Sequence, residues 1–332
     1  MKLAIIGGGS WGTALAIALA PRAESLRLWV YEADLAARMR SSRENDVYLP
    51  GFRLPDHVEI GDQIAAALEG ADIVLGVVPS RHARGIYSAM LPHLAPSMIL
   101  VSATKGLEQG TLLRMSEVAG QVVAAKMALP RVAVLSGPTF AREVAAGNPT
   151  AVVIASPSAD TAGCVQEAFS GPTFRLYTNA DPAGVEVGAA LKNVIAIGAG
   201  ICEGLNLGHN PTAALITRGL AEITRLAIAM GGQAKTLAGL AGLGDLVLTC
   251  TGELSRNRYV GKELGGGRPL GEILGSMRMV AEGVETCGVA VALGKKFGVD
   301  LPIIQQMHAV MGGQKTPQDA VRELMDRSLK SE

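Results

Sequence analysis

The sequence predicts an α/β chain: a doubly wound parallel sheet followed by an all-helical second half. Three observations predict it. Short apolar runs alternate with helical patterns through residue 179. Those runs are continuous rather than alternating, as in strands covered on both faces. Beyond about Ala180 the strand pattern stops while helical periodicity goes on. The boundary is therefore set at Asn179, with a first domain over 1–179 and a helical domain over 180–332.

Each element has its own signal. Residues 3–6 are a short apolar strand, 13–20 a helix stopped by Pro21, and 26–31 a second strand. Residues 73–78 run to Pro79, and 99–101, 132–135, 151–154 and 173–177 follow as strands. In the second half, 185–202, 211–230 and 283–297 have helical periodicity. Thr316-Pro317-Gln318-Asp319 is an N-cap with proline at the first helical position, opening a terminal helix through Leu329. Gly265-Gly266-Gly267 marks a mobile loop.

Composition bounds the function classes. A length of 332 residues implies about two domains. With 48% hydrophobic and 18% charged residues, a disordered chain is excluded. Thirty basic residues balance thirty acidic ones, which argues against a general nucleic-acid or anionic-membrane binder. The 41 glycines follow no G-X-Y period, so they signal tight turns and close backbone approaches. Cys164, Cys202, Cys250 and Cys287 form no C-x-x-C pair and read as four buried small apolar residues in a reducing compartment. With five scattered histidines there is no metal-ligand spacing, and no metal is expected. The N-terminal apolar run ending in Ala18-Leu19-Ala20 has features of a signal peptide, but Gly7-Gly8-Gly9-Ser10 interrupts it. No apolar run reaches about 18 residues, so a soluble, cytoplasmic protein without a membrane span is expected.

Gly7-x-Gly9-x-x-Gly12 directly follows the first strand and opens a helix. Gly7 suits the tight turn, Gly9 the close approach of a pyrophosphate, and Gly12 the packing of helix on strand. The helix start then offers free N–H groups to phosphates. Glu32 lies twenty residues beyond Gly12, where a carboxylate binds a ribose 2′-OH. Strand, turn, helix, second strand and acid in that order indicate a dinucleotide site. A carboxylate at Glu32 repels the 2′-phosphate of NADP, although Arg38 and Arg40 stand close enough in sequence to offset it. NAD is favoured over NADP.

The helical half carries polar residues in unusual places. Val185, Ala189, Lys192, Ala196 and Ala199 recur at helical steps, so Lys192 interrupts an apolar stripe. Such a lysine either snorkels or transfers a proton, and the pattern leaves both open. Ser255-Arg256-Asn257-Arg258 reads as a capped helix start with two guanidinium forks, either an exposed turn or an anion site. Gly242-Leu243-Gly244-Asp245 puts a carboxylate in a glycine-bent segment, as a turn, a cap or a partner for a cation. Lys105 follows a strand's carboxyl end, the edge where open α/β sheets bind ligands.

The segments GGGSWGTALA (7–16), VVPS (77–80), SATKGLE (102–108), LSGPTFAREV (135–144), ALKNVIAIGAGICEGL (190–205), AGLGDLVLTC (241–250), SRNRYVG (255–261) and AEGVET (281–286) span nearly the whole chain. Together they resemble the NAD(P)-dependent glycerol-3-phosphate dehydrogenases. The resemblance implies a Rossmann domain and a 6-phosphogluconate-dehydrogenase-like helical domain. It implies interconversion of dihydroxyacetone phosphate and sn-glycerol 3-phosphate for phospholipid synthesis. By it, Ser10 and Trp11 contact the cofactor, with Tyr31 near its adenosine part, and Lys105 touches cofactor and substrate. Gly137 and Thr139 line the substrate site, and Ala141 the cofactor. Lys192 is the proton donor and acceptor, and Asp245 holds the lysine or the substrate. Ser255, Arg256 and Asn257 grip the substrate phosphate, Arg256 also reaching the cofactor. Val280 and Glu282 close over the cofactor. Many bacterial members carry a basic or neutral residue after the second strand. Tyr31-Glu32 is similar instead to the NAD-using eukaryotic branch. The alternatives are another Rossmann and all-α β-hydroxyacid dehydrogenase acting on a carboxylate, or a silent dinucleotide sensor. The sequence leaves open whether the chain works alone or as a homodimer.

Overall fold

The computed structural model describes residues 1–127, 129–277 and 280–328. The chain divides into two compact units, one of 1–108 and 113–186, the other of 109–112 and 187–332. The division falls after Glu186, inside the helix that follows the expected boundary at Asn179, because that helix begins in the first unit and continues in the second.

The first unit is built on an eight-stranded sheet, with β1 (Lys2–Ile6), β2 (Ser25–Trp29), β5 (Val58–Gly61), β6 (Ile73–Gly76), β7 (Ile99–Ser102), β8 (Arg131–Ser136), β9 (Thr150–Ala155) and β10 (Phe174–Asn179). Its order is β10-β9-β8-β7-β6-β1-β2-β5. The chain winds outward in two directions from the β1–β6 pair, where Ile6 lies beside both Trp29 and Gly76. That pair is the topological switch point, at whose carboxyl end ligands bind. A separate hairpin of β3 (Glu44–Asn45) and β4 (Leu49–Arg53) and the strand β5 were not anticipated from the pattern. All three are short, and Pro50 and Gly51 disguise β4.

Helices α1 (Ser10–Leu19), α2 (Ala33–Ser42), α3 (Ile64–Leu68), α4 (Ser80–Met90), α5 (Met115–Val123), α6 (Ala141–Ala145) and α7 (Ala159–Phe169) cover the sheet. Alternate residues of β1 feed two cores. Leu3 and Ile5 pack with Leu15, Leu35 and Phe169, while Ala4 and Ile6 pack with Leu68, Tyr87 and Met115. This is why the strands look continuously apolar. The sheet is not wholly parallel, since β9 runs antiparallel to β8 and carries β10 with it. The connection after β8 carries the five-residue α6, and β9 enters the sheet beside β8 in the opposite direction, Val134 opposite Ala155 and Ser136 opposite Val153. Cys164 corrects another expectation, for it is exposed on α7 while the other three cysteines are buried.

The second unit is helical: α8 (Pro182–Gly204), α9 (His209–Ala229), α10 (Ala234–Leu237), α11 (Asp245–Thr251), α12 (Arg256–Gly265), α13 (Leu270–Gly275), α14 (Glu282–Phe297), α15 (Pro302–Met311) and α16 (Pro317–Met325). Thr316 accepts a hydrogen bond from the Asp319 N–H, as its N-cap signature predicts. The helix ends at Met325, and Leu329 lies outside the described residues. The glycine triplet is not wholly a loop, because Gly265 closes α12 and its backbone meets Gly204 of α8. By length and composition α8 could cross a membrane, despite the absence of an unbroken apolar run. Its most apolar stretch is entirely buried, so it serves as a core helix.

Candidate active site

The glycine turn is shaped by close backbone approach. Gly7 has a φ of +127°, and a Cβ there would overlap the Val77 carbonyl. A Cβ on Gly12 would overlap the Gly7 carbonyl. Gly9 differs, since a Cβ there would meet nothing within 4 Å. The first two glycines let the turn exist, whereas Gly9 keeps open the space above it. Gly9 is also the N-cap of α1, and no side chain satisfies the helix's first N–H groups. Trp11, in the first turn, has a buried indole N–H with no partner among the described residues. An open, donor-rich cradle at a switch point fits a pyrophosphate.

Glu32 sits at the N-cap position of α2 and accepts a hydrogen bond from the Tyr48 hydroxyl at 2.8 Å. Tyr31 is exposed, its ring edge-on to Trp29. Arg38 does not offset Glu32, because it is paired with Asp34 and Asp46. Arg40 points to the Ile60 carbonyl. Lys105, Gly137 and Thr139 come together. The lysine Nζ donates to the Gly137 carbonyl and the Thr139 hydroxyl, each at 3.1 Å. Ala141 opens α6, which packs on α1.

In the second unit Lys192 is 4% exposed and does not snorkel. Its Nζ donates to Asp245 Oδ1 at 2.6 Å and to Thr249 Oγ1 at 2.7 Å. Asp245 is fully buried, and both partners lie on α11, one helical turn apart. The glycine-bent segment is a wide helical turn, Leu240–Gly244, leading into α11. Thr249 was missed by sequence reasoning. Its signal was the four-residue spacing from Asp245, which places both on one face.

Ser255 caps α12 by accepting from the Arg258 N–H at 3.2 Å. Arg256 is the first helical residue, exposed to solvent. Surrounding protein lowers its pKa by desolvation, and the nearby Glu282 carboxylate opposes that shift. Asn257 is buried. Its amide donates to Asn193 Oδ1 and accepts from the Gly283 N–H, each at 3.0 Å. Asn193 was also missed; as the residue after Lys192, it ties the start of α12 to α8. Glu282 begins α14, with Val280 half-buried just before it. The residues expected in each unit thus gather within that unit, around the glycine turn, Lys105, Lys192 and the start of α12.

A dinucleotide cradle on an α/β sheet, with a buried lysine–aspartate pair in a helical unit, defines an NAD(P)-dependent oxidoreductase. Residues 2–162 match the family model of the NAD-dependent glycerol-3-phosphate dehydrogenase N-terminus, and 181–322 that of its C-terminus. Glycerol-3-phosphate dehydrogenase [NAD(P)+] of Koribacter versatilis is 57% identical over 100% of this chain and 98% of its own length. The Citrifermentans bemidjiense protein of the same name is 53% identical with the same coverage. The crystal structure of glycerol-3-phosphate dehydrogenase from Coxiella burnetii superposes with a TM-score of 0.94 at 40% identity, covering 98% of this chain and 99% of that one. The chain belongs to the NAD(P)-dependent glycerol-3-phosphate dehydrogenase family.

Proposed function

We propose that the protein reversibly reduces dihydroxyacetone phosphate to sn-glycerol 3-phosphate in the cytoplasm, with NAD favoured over NADP, and so supplies glycerophospholipid synthesis. The observation that carries this reading is the buried Lys192, held by Asp245 and Thr249. A charged side chain is costly to bury without a partner, and here the partners also aim it.

When bound, the nicotinamide supplies or accepts the hydride at substrate C2. Lys192 gives a proton to the C2 oxygen as charge develops there, and takes it back in the reverse direction. Asp245 and Thr249 restrain the amine, so its orientation is prepared before reaction. Lys105, fixed by Gly137 and Thr139, supplies a second cation for substrate and cofactor. Arg256 and the open N–H groups at the start of α12 receive the phosphate, as a guanidinium at a helix start suits an anion. Asn257 positions that helix start, because both ends of its amide are engaged by Asn193 and Gly283. The uncompensated carboxylate of Glu32 favours NAD.

The test is the rate of dihydroxyacetone phosphate reduction with NADH and with NADPH, beside a panel of β-keto acids. Turnover of the phosphate substrate, faster with NADH, supports the proposal. Turnover of a carboxylate substrate alone, or of none, overturns it. Light scattering on the purified chain distinguishes a monomer from the homodimer.

A further inference from the structure

The dinucleotide turn and Glu32 are joined by a strut that neither motif contains. Asn45, in β3, is fully buried. Its Nδ2 donates to the Gly8 carbonyl and to Thr13 Oγ1, each at 2.8 Å, and its Oδ1 accepts from the Tyr48 N–H at 2.9 Å. Tyr48 in turn donates its hydroxyl to Glu32 Oε1 at 2.8 Å. That bond is the main reason the phenol pKa is raised. One hydrogen-bonded path therefore runs from the glycine turn and α1, through Asn45 and Tyr48, to the carboxylate. Glu32 Oε2 makes no hydrogen bond among the described residues.

We infer that Asn45 and Tyr48 are positioning residues for cofactor choice: they fix Glu32 relative to the glycine turn, so that one carboxylate oxygen is held by the phenol while the other meets the ribose diol of NAD(H). The inference rests on the reading of Glu32 as the ribose acid. Its physical basis is pre-organisation. A carboxylate already tethered loses less freedom when it accepts a ribose hydroxyl. The same tether keeps the negative charge where a 2′-phosphate would stand, so the carboxylate cannot swing away to admit NADPH. Asn45 supplies the reference point, because its two Nδ2 hydrogen bonds, to Gly8 and Thr13, tie it to the turn that seats the pyrophosphate, while its Oδ1 holds the Tyr48 backbone.

The test uses the full-length enzyme as Tyr48→Phe, Glu32→Ala and the double variant. Each is assayed with NADH and NADPH at saturating dihydroxyacetone phosphate, with NADH affinity measured by fluorescence titration and melting temperature as a control. Tyr48→Phe keeps the ring and removes only the hydroxyl. The expected result is a roughly fivefold fall in kcat/KM for NADH, equal to about 1 kcal/mol. The fall comes through KM rather than kcat, with a matching loss of NADH affinity and no fall for NADPH. In the Glu32→Ala background, Tyr48→Phe should change the cofactor ratio by less than about twofold, because the group it orients is gone. A fall shared equally by both cofactors, or one that persists without Glu32, overturns the strut and leaves the ribose reading standing. If Glu32→Ala itself leaves the cofactor ratio unchanged, the ribose reading falls and the inference falls with it.

Discussion

The glycine turn and the Lys192 centre achieve functional geometry in opposite ways. The turn works through backbone and through the absence of side chains. Gly7 and Gly12 permit two close approaches, and Gly9 leaves space open. The lysine centre works through side chains taken out of water, with Lys192, Asp245 and Thr249 all buried and mutually bonded. One site is therefore sensitive to any atom added, the other to any charge removed.

The largest effect separating the two is expected from Lys192→Met. Loss of the proton donor should lower kcat by roughly 10² to 10⁴. The sequence pattern alone suggests that methionine would suit an apolar stripe and leave the fold intact. The structure corrects that expectation, because the substitution strands the fully buried Asp245. Breaking a buried pair costs about 3–5 kcal/mol. Lys192→Met should therefore melt well below wild type, and Lys192→Met with Asp245→Asn should recover part of the stability but none of the turnover. A single variant with wild-type kcat would remove Lys192 from the chemistry. Next is Arg256→Ala, where losing a charge-assisted contact of roughly 1.5–3 kcal/mol should cost about ten- to hundredfold in kcat/KM. Unphosphorylated dihydroxyacetone should be a poor substrate for wild type and much less affected. Equal losses for both substrates would put Arg256 outside the phosphate site.

The same contrast explains what could be read in advance. The turn was legible because its glycines, helix start and acid fall within Gly7 to Glu32, in an order that backbone geometry demands. Lys192 was legible only as an anomaly on a stripe. Its partners stand 53 and 57 residues away, and no local pattern says that α11 will lie against α8. Asn45 and Tyr48 gave no local signal either, since they stabilise the turn from a hairpin that was itself missed. The antiparallel β9 escaped because strand direction is settled by pairing within the sheet, which a run of apolar residues does not reveal.

A smaller effect sharpens the glycine side. Gly9→Ala adds a methyl group where nothing stands within 4 Å, so the fold should be unaffected within about 0.5 kcal/mol. NADH binding should nonetheless weaken, because crowding a closely packed contact costs about 1–3 kcal/mol, or roughly five- to hundredfold. Gly12→Ala puts a Cβ into the Gly7 carbonyl and should lower the melting temperature itself. Calorimetric titration of NADH together with melting curves checks both. If Gly9→Ala binds NADH as well as wild type does, the open space above the turn is not where the pyrophosphate lies.

The smallest effect concerns a buried acid outside both sites. Glu222 of α9 accepts from the Ile303 N–H at 2.8 Å and the Ile304 N–H at 3.3 Å, capping α15, whose own N-cap position is Leu301. Burial pushes its pKa up to about 7, while the two N–H bonds and Arg225 pull it down and Asp300 adds to the rise. A folded-state pKa above the unfolded value means that the folded chain binds the proton more tightly. This group's contribution is therefore greatest below about pH 4.5 and is lost as pH rises to 7, by about 3 kcal/mol at 1.36 kcal/mol per pH unit. Glu222→Gln cannot titrate, but it replaces one acceptor oxygen with a donor facing an N–H. Near pH 5 the variant should be less stable than wild type by about 1 kcal/mol. By about pH 8, where the wild type carries its buried charge, the gap should close or reverse. Melting temperatures of both proteins across that range decide the matter. A gap that stays constant with pH would mean that Glu222 holds α15 as a carboxylate throughout, with no proton linked to folding.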